Sequence, residues 1–248
     1  MNKGWKKPEV KIGIIALILG TLIGLLSIPW SNYFGSQQND LKTQDTAESL
    51  IEVGMGQFDR GSYLEAYGSF DRARQVDPLS DTAWTMEGRS LQELAAKKEE
   101  QGRGMEAGQL KAQAVDLFTR ALNINENNIQ ALYGKGYIFL DWHLYPYAIQ
   151  DLELGMKNVP TETRNWGLLK GLARGYSEWG MADEYGRETA THNFTRCDKG
   201  MEYALILLNE DKILDDRPYV YEAMYLAEKC KDNKEEMQKW FDKMQHAS

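Results

Sequence analysis

Residues 61–78, GSYLEAYGSFDRARQVDP, decide how the rest of the chain folds. Ala66, Phe70 and Ala73 recur at helical spacing, so they share one face of a short helix. The two alanines leave room for a neighbouring helix, and the phenylalanine ring fills the space between them. The proline that closes the stretch ends the helix, because it lacks an N–H group and disfavours helix in the residue before it. So short a helix cannot bury its apolar face alone, which predicts that the unit is repeated along the chain.

A second helix precedes this one, and residues 59–61 form a turn between them. The pair resembles the tetratricopeptide repeat (TPR), a helix–turn–helix unit of about 34 residues with the pattern W-x₂-L-G-x₂-Y…A-x₃-F…P. Leu50 replaces the tryptophan of the pattern. Its glycine, alanine, phenylalanine and proline are matched, at the correct spacing, by Gly54, Ala66, Phe70 and Pro78.

The second unit is longer than the pattern. It begins at Asp81 and keeps the tryptophan and glycine positions, but Glu87 stands where the pattern has leucine. Its two halves lie about 14 residues too far apart. This excess predicts extended helices over residues 95–112, turning at residues 102–104. The resulting hairpin either docks a partner or is an insertion that the surface tolerates.

The third unit begins at Ile129, with a turn near residues 143–146. Leu132, Gly136, Phe139, Ala148, Leu152 and Pro160 follow the pattern, with leucine at 152 in place of the phenylalanine. The fourth unit is degenerate: Trp166 and Leu169 are in register, and its second helix is predicted to carry Ala182 and the displaced aromatic Tyr185. Helices are also predicted over residues 200–211, 218–231 and 234–244, where the pattern is less regular.

The predicted fold is all-α, with an N-terminal transmembrane helix followed by an α-solenoid of TPR-like helix pairs. The predicted order is a basic tail, a transmembrane helix, a polar linker, about four TPR-like repeats, and a divergent repeat or capping pair. These segments span residues 1–11, 12–34, 35–45, 46–194 and 195–248. Terminal repeats of a solenoid are expected to diverge, because one of their faces meets water.

Residues 12–30, IGIIALILGTLIGLLSIPW, contain no charge and are long enough to cross the hydrocarbon core of a bilayer as a helix. Four lysines and one glutamate in residues 1–11 give that tail a charge of +3. This bias predicts a cytoplasmic N-terminus and a repeat domain on the other side of the membrane, the periplasm in a bacterium. A cleaved signal peptide is the alternative, although the run is longer than usual and lacks a small-residue cleavage site.

Gly20 and Gly24 form a G-x-x-x-G spacing inside the apolar run. Such a spacing lets two membrane helices approach closely, so these glycines are candidates for packing against another transmembrane helix. The alternative is that they reflect only the high glycine content of membrane helices.

Charge and the small number of cysteines and histidines argue against several classes of function. The net charge is −8, so the chain outside the basic tail carries −11, which argues against nucleic acid as a partner. Two cysteines, Cys197 and Cys230, lack the spacing of a zinc or redox motif, and either a disulfide or two free thiols fits them. The three histidines suggest no metal site. With no catalytic or nucleotide-binding motif found, we expect no enzymatic activity and no cofactor.

The resemblance implies a binding groove, because in TPR proteins the first helices of successive repeats line a concave surface that holds a partner's peptide or helix. Carried onto this chain, the groove would include Met55, Phe58, Arg89, Gln92, Tyr133, Tyr137 and Arg174. For the two tyrosines, packing between repeats is an equally good interpretation. The expected function is a membrane-anchored scaffold, an accessory or assembly factor for a membrane protein complex. The alternative is a stoichiometric subunit that packs through its transmembrane helix.

Overall fold

The computed structural model describes residues 46–159, 165–182, 188–189, 192–208 and 217–247. Within these ranges the chain forms ten helices, and its only β-type pairing is an isolated bridge. The helices are α1 (46–59), α2 (Tyr63–Val76), α3 (Asp81–Glu100), α4 (Gly104–Ile124), α5 (Ile129–Asp141), α6 (Tyr145–Asn158), α7 (Trp166–Met181), α8 (Phe194–Leu208), α9 (Arg217–Cys230) and α10 (Lys234–Ala247). The prediction of an all-helical solenoid is confirmed for this part of the chain.

Consecutive helices pack as five pairs, and local signals mark their ends. The first helices of the second, third and fourth pairs follow Ser80, Asn128 and Asn165, whose side chains each accept a hydrogen bond from a backbone N–H of the first turn. The turns within the first two pairs contain Gly61 and Gly102 at φ of +75° and +73°. This left-handed conformation reverses the chain in a few residues, and glycine adopts it without steric cost.

The aromatic positions of the repeat bury their rings against glycines. A Cβ atom at Gly54 would lie 2.6 Å from the Phe70 ring, which is fully buried. The Phe118 ring lies between Gly88 of α3 and Gly134 of α5, where added Cβ atoms would stand 2.9 and 2.5 Å away. Phe118 therefore joins the second pair to the third.

The second pair is the longest of the described pairs, with helices of 20 and 21 residues. Lys111 ties it to the next pair: its ammonium group lies 2.9 Å from Glu99 in the same hairpin and 2.8 Å from Asp141 at the end of α5. The lysine side chain is only 9% exposed. Its ammonium group is thus held between two carboxylates at the junction of the hairpin with the third pair.

The fourth pair departs from the predicted pattern. Ala182 is extended and forms an antiparallel bridge with Glu188, so the predicted second helix at Ala182 is wrong, and Tyr185 lies outside the described residues. The last carbonyl groups of α7 instead accept hydrogen bonds from the backbone N–H groups of residues 189 and 193. The second helix of the pair begins only at Phe194. That helix, α8, packs on α7 through small residues: a Cβ atom at Gly200 would lie 3.0 Å from the backbone nitrogen of Ser177.

The two cysteines form a disulfide that joins α8 to α9, with Cα atoms 5.4 Å apart. Both residues are fully buried, next to Met181 of α7 and the partly buried Leu226 of α9. The sequence did not decide between a disulfide and two free thiols, and the structure contains the disulfide. It links the fourth pair to the fifth.

The predictions for residues 1–45, including the transmembrane helix with Gly20 and Gly24, lie outside the described residues. Among the helices that are described, none combines the length and the apolar character needed to cross a membrane.

Candidate functional site

A cleft of about 380 Å³ opens on the face where the first helices of the third, fourth and fifth pairs meet. Three of the predicted groove residues lie in it together: Tyr133 and Tyr137 from α5 and Arg174 from α7. Its other lining residues are Lys170 of α7 and Glu222, Ala223 and Leu226 of α9. The cleft is therefore built from segments that are up to about 90 residues apart in sequence.

Glycines of α7 set the position of the two tyrosines. A Cβ atom at Gly167 would lie 2.5 Å from the Tyr133 ring, and one at Gly171 would lie 2.9 Å from the Tyr137 ring. The rings stand next to each other, with centroids 4.6 Å apart, and the Tyr137 hydroxyl donates a hydrogen bond of 3.0 Å to the carbonyl oxygen of Gly167. Burial raises the pKa of Tyr137 well above its ordinary value, so the phenol stays neutral.

Two cations project from α7 one turn apart, because Lys170 and Arg174 are separated by four residues. The Arg174 guanidinium lies 2.9 Å from Glu178 and 3.4 Å from Asp141. Burial by itself lowers the pKa of Arg174, but these carboxylates raise it above its ordinary value. The guanidinium is therefore charged and held in a fixed place at the edge of the cleft.

The opposite wall comes from α9, which sequence reasoning left outside the groove. It contributes one carboxylate, Glu222, and the apolar groups of Ala223 and Leu226. The only signal in the sequence was their spacing, which places residues 222, 223 and 226 on one side of a helix. Without a repeat pattern over residues 217–230, that spacing did not indicate which neighbour the side would face.

This arrangement is suited to binding. Aromatic faces, an apolar wall and groups of both charges offer contacts to the side chains of a protein segment. In the part of the chain that the structure describes, no group of three or more histidine, cysteine or carboxylate side chains could hold a metal ion.

The other four predicted groove residues lie at the N-terminal end of the solenoid. The Phe58 ring contacts Tyr63 at 5.0 Å between centroids, and the Arg89 guanidinium lies 4.9 Å from the centroid of the Phe58 ring. Met55 is 38% exposed and Gln92 is half-buried. None of these four lines the cleft, so the predicted set divides into two separate groups.

A second cleft, of about 620 Å³, was not predicted. Trp84 lines it, with the guanidinium groups of Arg74 and Arg120 at 4.5 and 5.4 Å from the ring centroid. Glu87, the departure from the repeat pattern, is 1% exposed and pairs with Arg74 at 2.8 Å. Burial raises the pKa of Glu87 despite this pairing. The leucine position of the pattern thus holds a buried carboxylate, paired with an arginine that is partly exposed.

No protein-family model and no curated protein matches this sequence. Solved structures do match in fold. MamA of Desulfovibrio magneticus has a TM-score of 0.56 at 18% identity, covering 82% of this chain and 95% of its own. PilF of Pseudomonas aeruginosa has a TM-score of 0.55 at 15% identity, over 84% of this chain and 78% of its own.

A further match is YrrB, described as a TPR protein with an unusual peptide-binding site. The chain has a TPR-like fold. YrrB has a TM-score of 0.54 at 14% identity, over 86% of this chain and 91% of its own. At these identities the matches show only the architecture of stacked helix pairs. The chemistry of the site follows from the residues of this chain.

Proposed function

We propose that this chain is a protein-binding scaffold and that the cleft between α5, α7 and α9 holds a segment of its partner. The observation that carries the proposal is the convergence of two adjacent tyrosines, two cations and an apolar wall in one concavity. Tyr and Arg are the residue types that most often anchor protein interfaces. The likeness in fold to a protein described as having a peptide-binding site is in keeping with this role.

We further propose that residues 12–34 anchor the chain in a membrane and that the helix pairs lie on its extracytoplasmic side, the periplasm in a bacterium. The uncharged run at residues 12–30 and the lysines before it support this placement. The Cys197–Cys230 disulfide also favours it, because disulfides persist in oxidising compartments and are rare in the cytosol.

The proposed partner is a membrane protein or a membrane complex that this chain serves as an accessory or assembly factor. A linker of about ten residues between anchor and repeats confines the cleft to a thin layer above the bilayer. This confinement raises the effective concentration of the cleft near other membrane proteins, so a moderate intrinsic affinity is sufficient for binding.

A stoichiometric subunit of a membrane complex is the second candidate function, and the G-x-x-x-G spacing of Gly20 and Gly24 favours it. Such a subunit associates through its membrane helix and is recovered in constant ratio with its neighbours. An assembly factor exchanges partners and is recovered in variable ratio.

The test is affinity isolation of the full-length chain from membranes, with three variants. Lys170→Glu reverses a charge in the cleft, and Lys157→Glu reverses one on the exposed side of α6 as the matched control. We expect Lys170→Glu to lose the partner and Lys157→Glu to retain it. Loss with Gly20→Leu alone would favour the subunit, and retention in all three variants would contradict both functions.

A further inference from the structure

The disulfide and the cleft share one residue. Leu226 of α9 lines the cleft, and it also packs against the buried cluster of Met181, Cys197 and Cys230. Because both cysteines are fully buried, the sulfurs are enclosed by protein atoms on every side. A change at the sulfurs is therefore transmitted to Leu226 through this packed cluster.

The site of the disulfide has no spare volume on the α7 side. A Cβ atom at Gly180 would lie 2.5 Å from the sulfur of Cys230 and 2.8 Å from that of Cys197, so the two sulfurs rest directly on the α7 backbone. The carbonyl oxygen of Cys230 is also fixed, at 2.8 Å from Nδ1 of His192. The cysteine end of α9 is thus held between α7, α8 and the segment before α8.

We propose that the Cys197–Cys230 pair is a redox lock on the cleft, which reaches its binding shape only in the oxidised molecule. Two thiol sulfurs that are no longer bonded stand farther apart than bonded ones, because their van der Waals surfaces must then clear each other. Since α7 blocks movement on one side, the separation moves the end of α9 and Leu226 outward. The inference rests on the proposed role of the cleft.

The chemical step is a thiol–disulfide exchange with a dithiol. The dithiol attacks one sulfur, the S–S bond breaks, and a second attack releases the reductant as its own disulfide. The cysteine pair gains two electrons and two protons and becomes two thiols. Because the disulfide is buried, the attack requires a transient opening of α9, so the lock is slow to release once it is closed.

The lock places the binding function in the compartment where the disulfide persists. A chain that has not yet been exported carries two thiols and an altered cleft, and oxidation after export completes the wall formed by Glu222, Ala223 and Leu226. Partner binding would then be confined to the oxidising side of the membrane. The apolar packing of α9 on Leu169, Ala173 and Trp240 keeps the helix folded in both states.

The test is amide hydrogen exchange of the full-length chain in mild detergent, measured in the oxidised form, after reduction with a dithiol, and in a Cys197→Ala/Cys230→Ala variant. We expect reduction to accelerate exchange over residues 217–230 by about tenfold or more and to leave α2 unchanged. The alanine pair also lacks the crosslink and leaves a cavity between α7, α8 and α9, so exchange over the same residues should accelerate in this variant as well.

Less than about a twofold change on reduction would overturn the lock, as would unchanged exchange over residues 217–230 in the alanine variant. The measurement needs no partner, so its failure leaves the proposed binding function in place. Conversely, a failed affinity isolation together with a clear exchange response would reject the binding function and retain the structural coupling.

Discussion

Replacement of Phe118 with alanine is expected to weaken the junction between the second and third helix pairs, near the centre of the solenoid. The ring is fully buried and lies between α3 and α5, so it is shared by the second and third pairs. Loss of the burial itself costs about 2–3 kcal/mol. A residual cavity of roughly 60–80 Å³ adds about 1.5–2 kcal/mol, which gives a total near 4 kcal/mol.

The assay is denaturant unfolding of the full-length chain in mild detergent, followed by far-ultraviolet circular dichroism and by hydrogen exchange. Because each pair contacts only its neighbours, a weak central junction should broaden the transition or divide it into two. Phe70→Ala is the matched control, since Phe70 is equally buried but lies in the first pair. Its loss should accelerate exchange in α1 and α2 and leave the distant pairs unchanged.

A compensating variant tests the same contact in the opposite direction. Gly134→Ala places a Cβ atom 2.5 Å from the Phe118 ring and should cost about 1–3 kcal/mol. Adding Phe118→Leu should recover part of that cost, because the smaller side chain makes room for the methyl group. A cost of Phe118→Ala below about 1.5 kcal/mol, or strict additivity of Gly134→Ala with Phe118→Leu, would refute the reasoning.

Three further predictions concern the buried charges. Arg74→Met should cost about 2–3 kcal/mol of stability, because it leaves the Glu87 carboxylate buried without its partner. The double variant Arg74→Met/Glu87→Leu should be nearly neutral, and chemical denaturation of both variants checks this. Burial raises the pKa of Glu87 above its ordinary value of 4.5, so the folded chain binds this proton more tightly than the unfolded chain. Its contribution to stability therefore falls as the pH rises through 4.5 to the folded pKa. The stability of wild type relative to Glu87→Gln should thus decrease as the pH is raised from below 4.5, which unfolding at a series of pH values measures. Lys111→Met should cost only about 1 kcal/mol, because Asp141 is partly exposed and regains water, but it should accelerate hydrogen exchange over residues 95–112.

The sequence predicted the part of the fold that repeats. Small residues and a ring at fixed spacing, as in Ala66 and Phe70, recur often enough to place the first three pairs. The pattern fails where other contacts replace it. At the fourth pair the small residues that receive the neighbouring helix are Gly200 and Ala204, about 20 residues later than the pattern requires, because a bridged segment intervenes.

The candidate site was predicted in part for the same reason. Tyr133, Tyr137 and Arg174 belong to first helices of recognisable repeats, so their shared face followed from the repeat geometry. The α9 wall did not follow, because no pattern assigned residues 217–230 to a neighbour. The cation–aromatic contacts around Trp84 depend on side chains from three helices, and spacing along one helix cannot indicate them.

The most direct measurement of the central claim is site-specific photocrosslinking in intact membranes. A photoreactive side chain replaces Lys170 in the cleft or, as the control, Lys157 on the exposed side of α6. We expect position 170 of the full-length chain to form a discrete protein adduct that position 157 does not form. Equal labelling at both positions, or an adduct at position 157 alone, would contradict a partner-binding cleft between α5, α7 and α9.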